Sequence, residues 1–289
     1  MKITVIEQAG FCFGVKRAIQ MAFAAAEEQA GQRGGGQVFS LGSLIHNPQV
    51  VEKLAEAGVG VVERLEQVKA EKGVLLVRSH GLHPSVLQQA RQMGLRIIDA
   101  TCPFVKKVQE DVVSLKRDGY QVVIIGDKDH PEIQAIKGDE SQDILVAGRK
   151  DEVASLPLKK KIGVVAQTTQ SFSNFQSIIS ELLGRVTEIK IFKTICEATT
   201  RRQRATLDLA GRVDLMIIVG GRNSANTNRL LEICQSVNTP SRLIEVAGEI
   251  QPEWLAGKEE VGVSAGASTP EWIIAPVVER LKNLSALRQ

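Results

Sequence analysis

The residues of this chain best suited to chemistry are three cysteines that recur in one setting. Cys12 stands in Gly10-Phe11-Cys12-Phe13-Gly14-Val15-Lys16-Arg17-Ala18, and Cys102 in Ile97-Ile98-Asp99-Ala100-Thr101-Cys102-Pro103-Phe104-Val105-Lys106-Lys107-Val108. Cys196 stands in Ile191-Phe192-Lys193-Thr194-Ile195-Cys196-Glu197-Ala198-Thr199-Thr200-Arg201-Arg202. Each ends a short apolar strand and opens a basic amphipathic helix, and the intervals of 90 and 94 residues divide the chain into three similar lengths. A helix start carries unpaired N–H groups and the positive end of the dipole, so each sulfur stands where an anion is favoured. Three such thiolates brought together form one soft metal site. The bland reading of a free cysteine is a small buried hydrophobe, and it suits Cys234 on the apolar face of Leu230-Leu231-Glu232-Ile233-Cys234. Structural zinc takes four ligands at C-x-x-C-type spacing, and no two cysteines here are that close. Iron–sulfur clusters take thiolates, ordinarily four, so three leave one position for a substrate. On spacing alone, a catalytic cluster and inert thiols stand at even odds.

Three of the four histidines fall in loops that follow apolar strands: His46 in Ser43-Leu44-Ile45-His46-Asn47-Pro48, His80 in Val77-Arg78-Ser79-His80-Gly81, and His130 in Asp129-His130-Pro131-Glu132. Imidazoles near helix starts can donate hydrogen bonds to a phosphate, although a single histidine is more often a cap. The last third carries small donors instead, Ser224 and Asn226 in Gly220-Gly221-Arg222-Asn223-Ser224-Ala225-Asn226 and Ser268 in Ser264-Ala265-Gly266-Ala267-Ser268-Thr269-Pro270. Backbone N–H groups and hydroxyls of such loops can converge on an anion, and plain turn-and-cap chemistry is the competing account of each. Glu132 lies just inside a helix start, where it either complements the dipole or relays protons in a closed site. Thr168, in Gln167-Thr168-Thr169-Gln170, offers a hydroxyl as a cap or a substrate contact. The run Arg201-Arg202-Gln203-Arg204 reads as a solvated face, or as a docking patch for an acidic electron donor.

These residues need elements to hold them, and the sequence supplies a strand–helix alternation throughout, the pattern of parallel sheets. Strands are expected in the first third at 3–6, 37–41 and 74–77, in the second at 97–98, 122–125 and 162–165, and in the third at 187–192, 215–219 and 260–263. Weaker ones are expected at 144–147 and 242–246. Helices are expected at 15–30, 49–57, 85–93 and 105–116, with Pro48, Pro84, Pro131 and Pro270 at first helical positions and Gly58, Gly94 and Gly119 at stops. The Gly34–Gly36 stretch reads as a loop. Ligands of open α/β sheets bind beyond the carboxyl ends of strands. The nine loops there carry Cys12, His46 and His80; Cys102, His130 and Thr168; and Cys196, Ser224 and Ser268. The reading is therefore three similar small α/β domains, 1–98, 99–192 and 193–289, with mostly parallel sheets set pseudo-threefold about one cleft. The last includes a C-terminal helix.

Composition narrows the classes. At 43% apolar and 24% charged the chain is globular, and at 289 residues it exceeds one ordinary core. Only 4% of residues are aromatic, which argues against stacking platforms for nucleic acid, and the net charge of +3 forms no concentrated patch. The opening Met1-Lys2-Ile3-Thr4-Val5-Ile6 enters a strand without a signal-peptide core, and no apolar run approaches membrane-spanning length. Four distant cysteines make no disulfide framework. The expectation is a cytoplasmic protein with reduced thiols, and neither nucleic acid nor membrane as partner.

On these motifs the chain resembles, over essentially its whole length, the 4-hydroxy-3-methylbut-2-enyl diphosphate reductases, which close the methylerythritol phosphate route to isoprenoids. The segments that carry the resemblance are Gly10-Phe11-Cys12-Phe13-Gly14-Val15, Ile45-His46-Asn47-Pro48, Arg78-Ser79-His80-Gly81, Asp99-Ala100-Thr101-Cys102-Pro103, His130-Pro131-Glu132, Gln167-Thr168-Thr169, Asn223-Ser224-Ala225-Asn226 and Ala265-Gly266-Ala267-Ser268. The resemblance implies an oxidoreductase with three α/β domains around a central 4Fe–4S cluster, held by Cys12, Cys102 and Cys196, with the fourth iron open to the substrate hydroxyl. It implies a diphosphate pocket of His46, His80, Ser224, Asn226 and Ser268. His130 and Thr168 are expected nearer the hydroxyl, with Glu132 as proton relay. Ferredoxin or flavodoxin would donate the electrons, and isopentenyl and dimethylallyl diphosphate would form together. Many members carry a second serine where this chain has Ala225, so one side-chain hydroxyl is missing. Two other readings are a redox-neutral iron–sulfur hydro-lyase on an allylic diphosphate and a non-enzymatic iron–sulfur sensor.

Overall fold

In the computed structural model, residues 1–31, 36–68, 73–138 and 143–287 are described. Gly34 and Gly35 of the expected loop lie outside them.

Among the described residues twelve short strands form three four-stranded sheets, parallel in every pairing. The first sheet holds β2 (Val38–Leu41), β3 (Val59–Val62), β4 (Val74–Val77) and β5 (Arg96–Asp99), in the order β3-β2-β4-β5. The second holds β6 (Gln121–Ile125), β7 (Ile144–Ala147), β8 (Lys161–Ala166) and β9 (Glu188–Ile191), in the order β7-β6-β8-β9. The third holds β10 (Leu215–Val219), β11 (Ser241–Ile244), β12 (Glu260–Ala265) and β1 (Lys2–Val5), in the order β11-β10-β12-β1. Each sheet therefore repeats one winding, in which the second strand goes to one edge and the third and fourth to the other side.

That winding changes the allotment of strands expected from the sequence. The cysteine-bearing strand closes the sheet before it: β5 completes the first sheet and β9 the second. The fourth strand of the third sheet is β1, paired in register with β12 from Lys2 opposite Glu260 to Val5 opposite Val263. A short crossover lays the next parallel strand on the same sheet. Strand β3 escaped the sequence reading because Gly58 and Gly60 interrupt an already short apolar run. The Gly58 φ of 92° is a helix stop, and the strand begins on the next residue.

Strands β4, β6 and β10 are buried on both faces along their whole length, as apolar, mostly β-branched runs in a parallel sheet require. Along β6, Val122 and Ile124 face one core cluster with Leu115, while Val123 and Ile125 face another with Ile178 and Leu182. Helices α1 (Phe13–Ala30), α2 (Pro48–Glu56), α3 (Pro84–Gln92), α4 (Pro103–Arg117), α5 (Pro131–Lys137), α6 (Phe172–Leu183), α7 (Glu197–Ala210), α8 (Ala225–Ser236) and α9 (Glu271–Ala286) join the strands. Proline opens α2, α3, α4 and α5, whereas Pro270 sits one residue ahead of α9. Among the described residues no helix is long and apolar enough to cross a membrane.

The chain divides into two compact units. One contains residues 1–13, 46–48 and the described chain from Cys196 on, and so carries the third sheet. The other contains residues 14–45 and 49–195, with the first and second sheets.

Candidate active site

The repeated winding decides where side chains from distant parts of the sequence are presented. In every sheet the strand order reverses between the first and third strands, and ligands favour that switch point at the carboxyl ends. The loops there carry His46 and His80 after β2 and β4, His130 and Thr168 after β6 and β8, and Ser224 and Ser268 after β10 and β12. The fourth strands β1, β5 and β9 lead into Cys12, Cys102 and Cys196.

Within the unit of the third sheet, the His46 loop is seated between two loops of the last third. Ser268 Oγ donates to the His46 carbonyl at 3.1 Å. A Cβ on Gly221 would lie 2.5 Å from that same oxygen, so only glycine permits the approach. Ser224 caps α8, its Oγ accepting from the Thr227 N–H at 3.3 Å, which leaves its hydroxyl proton to donate elsewhere. Asn226 is 4% exposed, and neither its carboxamide nitrogen nor its oxygen has a hydrogen-bond partner among the described residues. An orphaned buried amide is costly, and a polar ligand would satisfy it. Ala225, the first residue of α8, offers no side-chain polar atom. His46, Ser224, Asn226 and Ser268 thus belong to one anion-suited group.

Within the other unit, the residues suited to proton transfer meet. His130 caps α5, its Nδ1 accepting from the Glu132 N–H at 3.1 Å, so in the neutral ring the proton sits on Nε2. Its ring packs edge-on against His80, with centroids 5.3 Å apart. Glu132 is 1% exposed, and both carboxylate oxygens are held by one residue. Thr168 donates its N–H to Oε1 and its hydroxyl to Oε2, each at 2.7 Å. Burial pushes the Glu132 carboxyl up to about 7, against the two Thr168 hydrogen bonds that favour the anion. A carboxylic acid that titrates near neutral pH in a dry site is placed to accept and return a proton. The dipole-complement account of Glu132 leaves this pairing unexplained.

The cysteine loops are tied to the same strand ends. The Cys12 N–H donates to the Ala267 carbonyl at 3.1 Å, next to Ser268, and the Cys102 N–H donates to the Ser79 carbonyl at 3.0 Å, next to His80. Thr194 Oγ1 donates to the Ala166 carbonyl at 2.6 Å, which anchors the approach to Cys196 at the end of β8. Cys102 and Cys196 occupy the N-cap positions of α4 and α7, and the Cys196 sulfur accepts from the Thr199 N–H at 3.4 Å. Gly14 packs so closely on Cys102 that a Cβ there would lie 2.5 Å from its Sγ. All three residues are half-buried, whereas Cys234 is wholly buried and its thiol is pushed up to about 11 by burial. Cys234 is a core residue.

Two arginines were missed as structural parts of these loops. Arg17, one turn into α1, donates to the Thr101 carbonyl at 3.1 Å, beside Cys102. Arg202 belongs to the run read as a solvated face or docking patch, and that reading fails for it. It is 3% exposed and turned inward, while Arg201 is exposed and paired with Glu197. In the structure Arg202 lies in a buried stripe at helical spacing with Thr199, Gln203, Thr206, Leu209 and Ala210, a mostly polar set that no apolar pattern in the sequence marks.

Three parallel α/β sheets, with polar donors, imidazoles and a buried carboxylic acid in their strand-end loops, define the class: a parallel α/β protein whose polar groups collect beyond the carboxyl ends of its strands. The profile described as "LytB protein" matches residues 3–282, and the chain belongs to that family. It is 49% identical over 288 residues to 4-hydroxy-3-methylbut-2-enyl diphosphate reductase of Geobacter metallireducens, covering 100% of this chain and 99% of that one. It is 48% identical to the protein of the same name from Geotalea uraniireducens, over 99% of this chain and 98% of that one. A solved structure of (E)-4-hydroxy-3-methyl-but-2-enyl diphosphate reductase, described as the terminal enzyme of the non-mevalonate pathway, is similar at 42% identity and TM-score 0.69. It is covered over its full length by 98% of this chain. The solved Plasmodium falciparum E-1-hydroxy-2-methyl-but-2-enyl-4-diphosphate reductase is similar at TM-score 0.91 and 29% identity, over 98% of this chain and 88% of that one.

Proposed function

We propose that this chain is an oxidoreductase that removes the allylic hydroxyl of 4-hydroxy-3-methylbut-2-enyl diphosphate and yields isopentenyl and dimethylallyl diphosphate. The reaction consumes two electrons and two protons: the C–O bond breaks, oxygen leaves as water, and a C–H bond forms. The observation that carries the reading is the buried Glu132 gripped at both oxygens by Thr168, with His130 capping the same helix.

The anion-suited group takes the diphosphate. Ser224, at the N-terminus of α8, offers its hydroxyl proton, Asn226 its unpartnered amide, and Ser268 a hydroxyl that can turn from the His46 carbonyl; His46 and His80 add imidazoles. Contacts to the diphosphate are remote from the bond that breaks, so they supply orientation. At the hydroxyl, Glu132 in its acid form holds a proton on Oε2, which passes to Thr168 Oγ1 while the Thr168 hydroxyl proton moves to the departing oxygen. The His130 Nε2–H donates to the same oxygen as it gains charge. Burial excludes bulk water from the pair, which strengthens each interaction.

The cofactor is a 4Fe–4S cluster on Cys12, Cys102 and Cys196, with the fourth iron left to the substrate. The residues present fit it. They are three thiols at helix starts, one against the Gly14 cradle, and a buried guanidinium with an unpartnered nitrogen in reach of the other two. When bound, such a cluster supplies electrons one at a time and a Lewis-acidic iron. The three-lobe division at 1–98, 99–192 and 193–289 then lends β1 of the first lobe to the last sheet. Ferredoxin or flavodoxin is the electron donor, and the cytoplasm, which keeps thiols reduced, is the compartment.

The test is anaerobic reconstitution with iron and sulfide counting, then turnover of the allylic diphosphate with an artificial one-electron reductant. The expected result is a cluster-loaded protein that forms both five-carbon diphosphates only when reductant is present. Water loss or addition without reductant would make it a hydro-lyase, and nucleic-acid binding without turnover would make it a sensor.

A further inference from the structure

Arg202 is a buried cation whose described partners do not account for its charge. Six residues into α7 from Cys196, its Nε donates to the Gln8 carbonyl at 2.9 Å, and its Nη2 donates to the carbonyls of Gln8 and Gly10 at 2.7 Å each. Both acceptors are neutral and belong to the loop that delivers Cys12. Gly10 has φ 112°, a backbone conformation that side chains rarely adopt. The third nitrogen, Nη1, is buried with no hydrogen-bond partner among the described residues. The guanidinium also lies within electrostatic reach of Cys12 and of Cys196. A desolvated cation without a carboxylate is strongly unfavourable unless an anion faces it, and guanidinium stays protonated in proteins. The sulfur-bearing residues Cys12 and Cys196 lie on the loop that Arg202 clamps and at the start of its own helix.

We propose that Arg202 is a positioning residue for the reduction. It clamps the Cys12 loop through two carbonyls, and its remaining face supplies the positive charge that stabilises the added electron on a cluster held by Cys12 and Cys196. This rests on the cluster reading given above. Arg17 does a related task in the other unit, one helix turn beyond a cysteine and bonded to the carbonyl before the next. It makes a single contact there, so the charge-bearing role falls to Arg202.

The test compares wild type, Arg202→Met and Arg202→Lys as full-length proteins, with two readouts. The first is the cluster midpoint potential, from a redox titration followed by EPR. Removing the charge in Arg202→Met disfavours the extra electron at least tenfold, a fall of about 59 mV for a one-electron couple. Arg202→Lys, which keeps the charge, shifts by less than half of that. The second is amide hydrogen exchange in the cluster-free protein. There both variants exchange residues 8–12 at least tenfold faster than wild type, because neither can make the forked contact, while β6 and β8 are unchanged. A wild-type potential in Arg202→Met overturns the proposal. If that variant does not fold, Arg202→Lys decides: wild-type exchange over residues 8–12 overturns it, and tenfold faster exchange there alone supports it. A wild-type protein that takes up no iron would sink the cluster reading, while the exchange comparison still reports on the clamp.

Discussion

Glu132 shows how one residue can be ambiguous in sequence and plain in structure. Two residues past a histidine and inside a helix start, it matched a routine first-turn acid. Its burial and its partner come from Thr168, 36 residues away, after a strand that lies beside β6. No local pattern carries that contact. Glu132→Gln keeps the shape, and Thr168 Oγ1 can rotate to accept from the new amide. We expect intact iron content and turnover lower by about 10²-fold, the scale of lost acid catalysis; turnover near wild type removes the residue from the mechanism. Wild-type turnover should also fall as pH rises through about 7, where the carboxyl gives up its proton. The same titration bears on stability. The folded carboxyl keeps its proton to about 7, whereas an unfolded one loses it near the ordinary 4.5. Its contribution is therefore full below about 4.5 and lost as pH rises to 7, on the order of 3 kcal/mol. Denaturant melts at pH 4.5 and 7.5 should show that loss in the wild type and a smaller one in Glu132→Gln.

At the scale of elements, two glycines separate packing from chemistry. Gly163 in β8 faces the Leu115 methyls of α4, and a Cβ there would collide with them. Gly163→Ala should destabilise by about 1–3 kcal/mol, the usual scale of overpacking, and leave cluster uptake unchanged in the protein that remains folded. Gly14 lies in α1, where alanine is favoured over glycine by about 1 kcal/mol, but its Cβ would meet the Cys102 sulfur at 2.5 Å. Gly14→Ala should therefore melt near the wild-type temperature and bind less iron; normal iron content would show that the sulfur has room to move. The strong β-branched runs, the proline starts and the glycine stops were legible because each is a local signal. Strand β3 was not, since two glycines broke its pattern, nor was the inward turn of Arg202, since a charged residue on a buried helix face reads as solvated until its partners are known.

For the whole molecule, the sequence repeat gave the number of sheets and the kind of residue at each strand end. It could not give the pairing of β1 with β12, because a pairing across 258 residues leaves no mark in a local window. The cysteine assignment is tested at this scale, since the three positions come from different strands. Replacing Cys12, Cys102 or Cys196 singly by serine should abolish the iron signal of the reconstituted protein. Cys234→Ser should retain it, and an iron-free Cys234 variant would overturn the assignment.

The partnership of β1 with β12 also sets an order of events during synthesis. Lys2–Val5 leaves the ribosome long before Glu260–Ala265 exists, so it must wait without its ladder while the first and second sheets can already close. Throughout that interval Ile3 and Val5 are a short unpaired apolar edge, the kind of surface that chaperones shield and neighbouring nascent chains can capture.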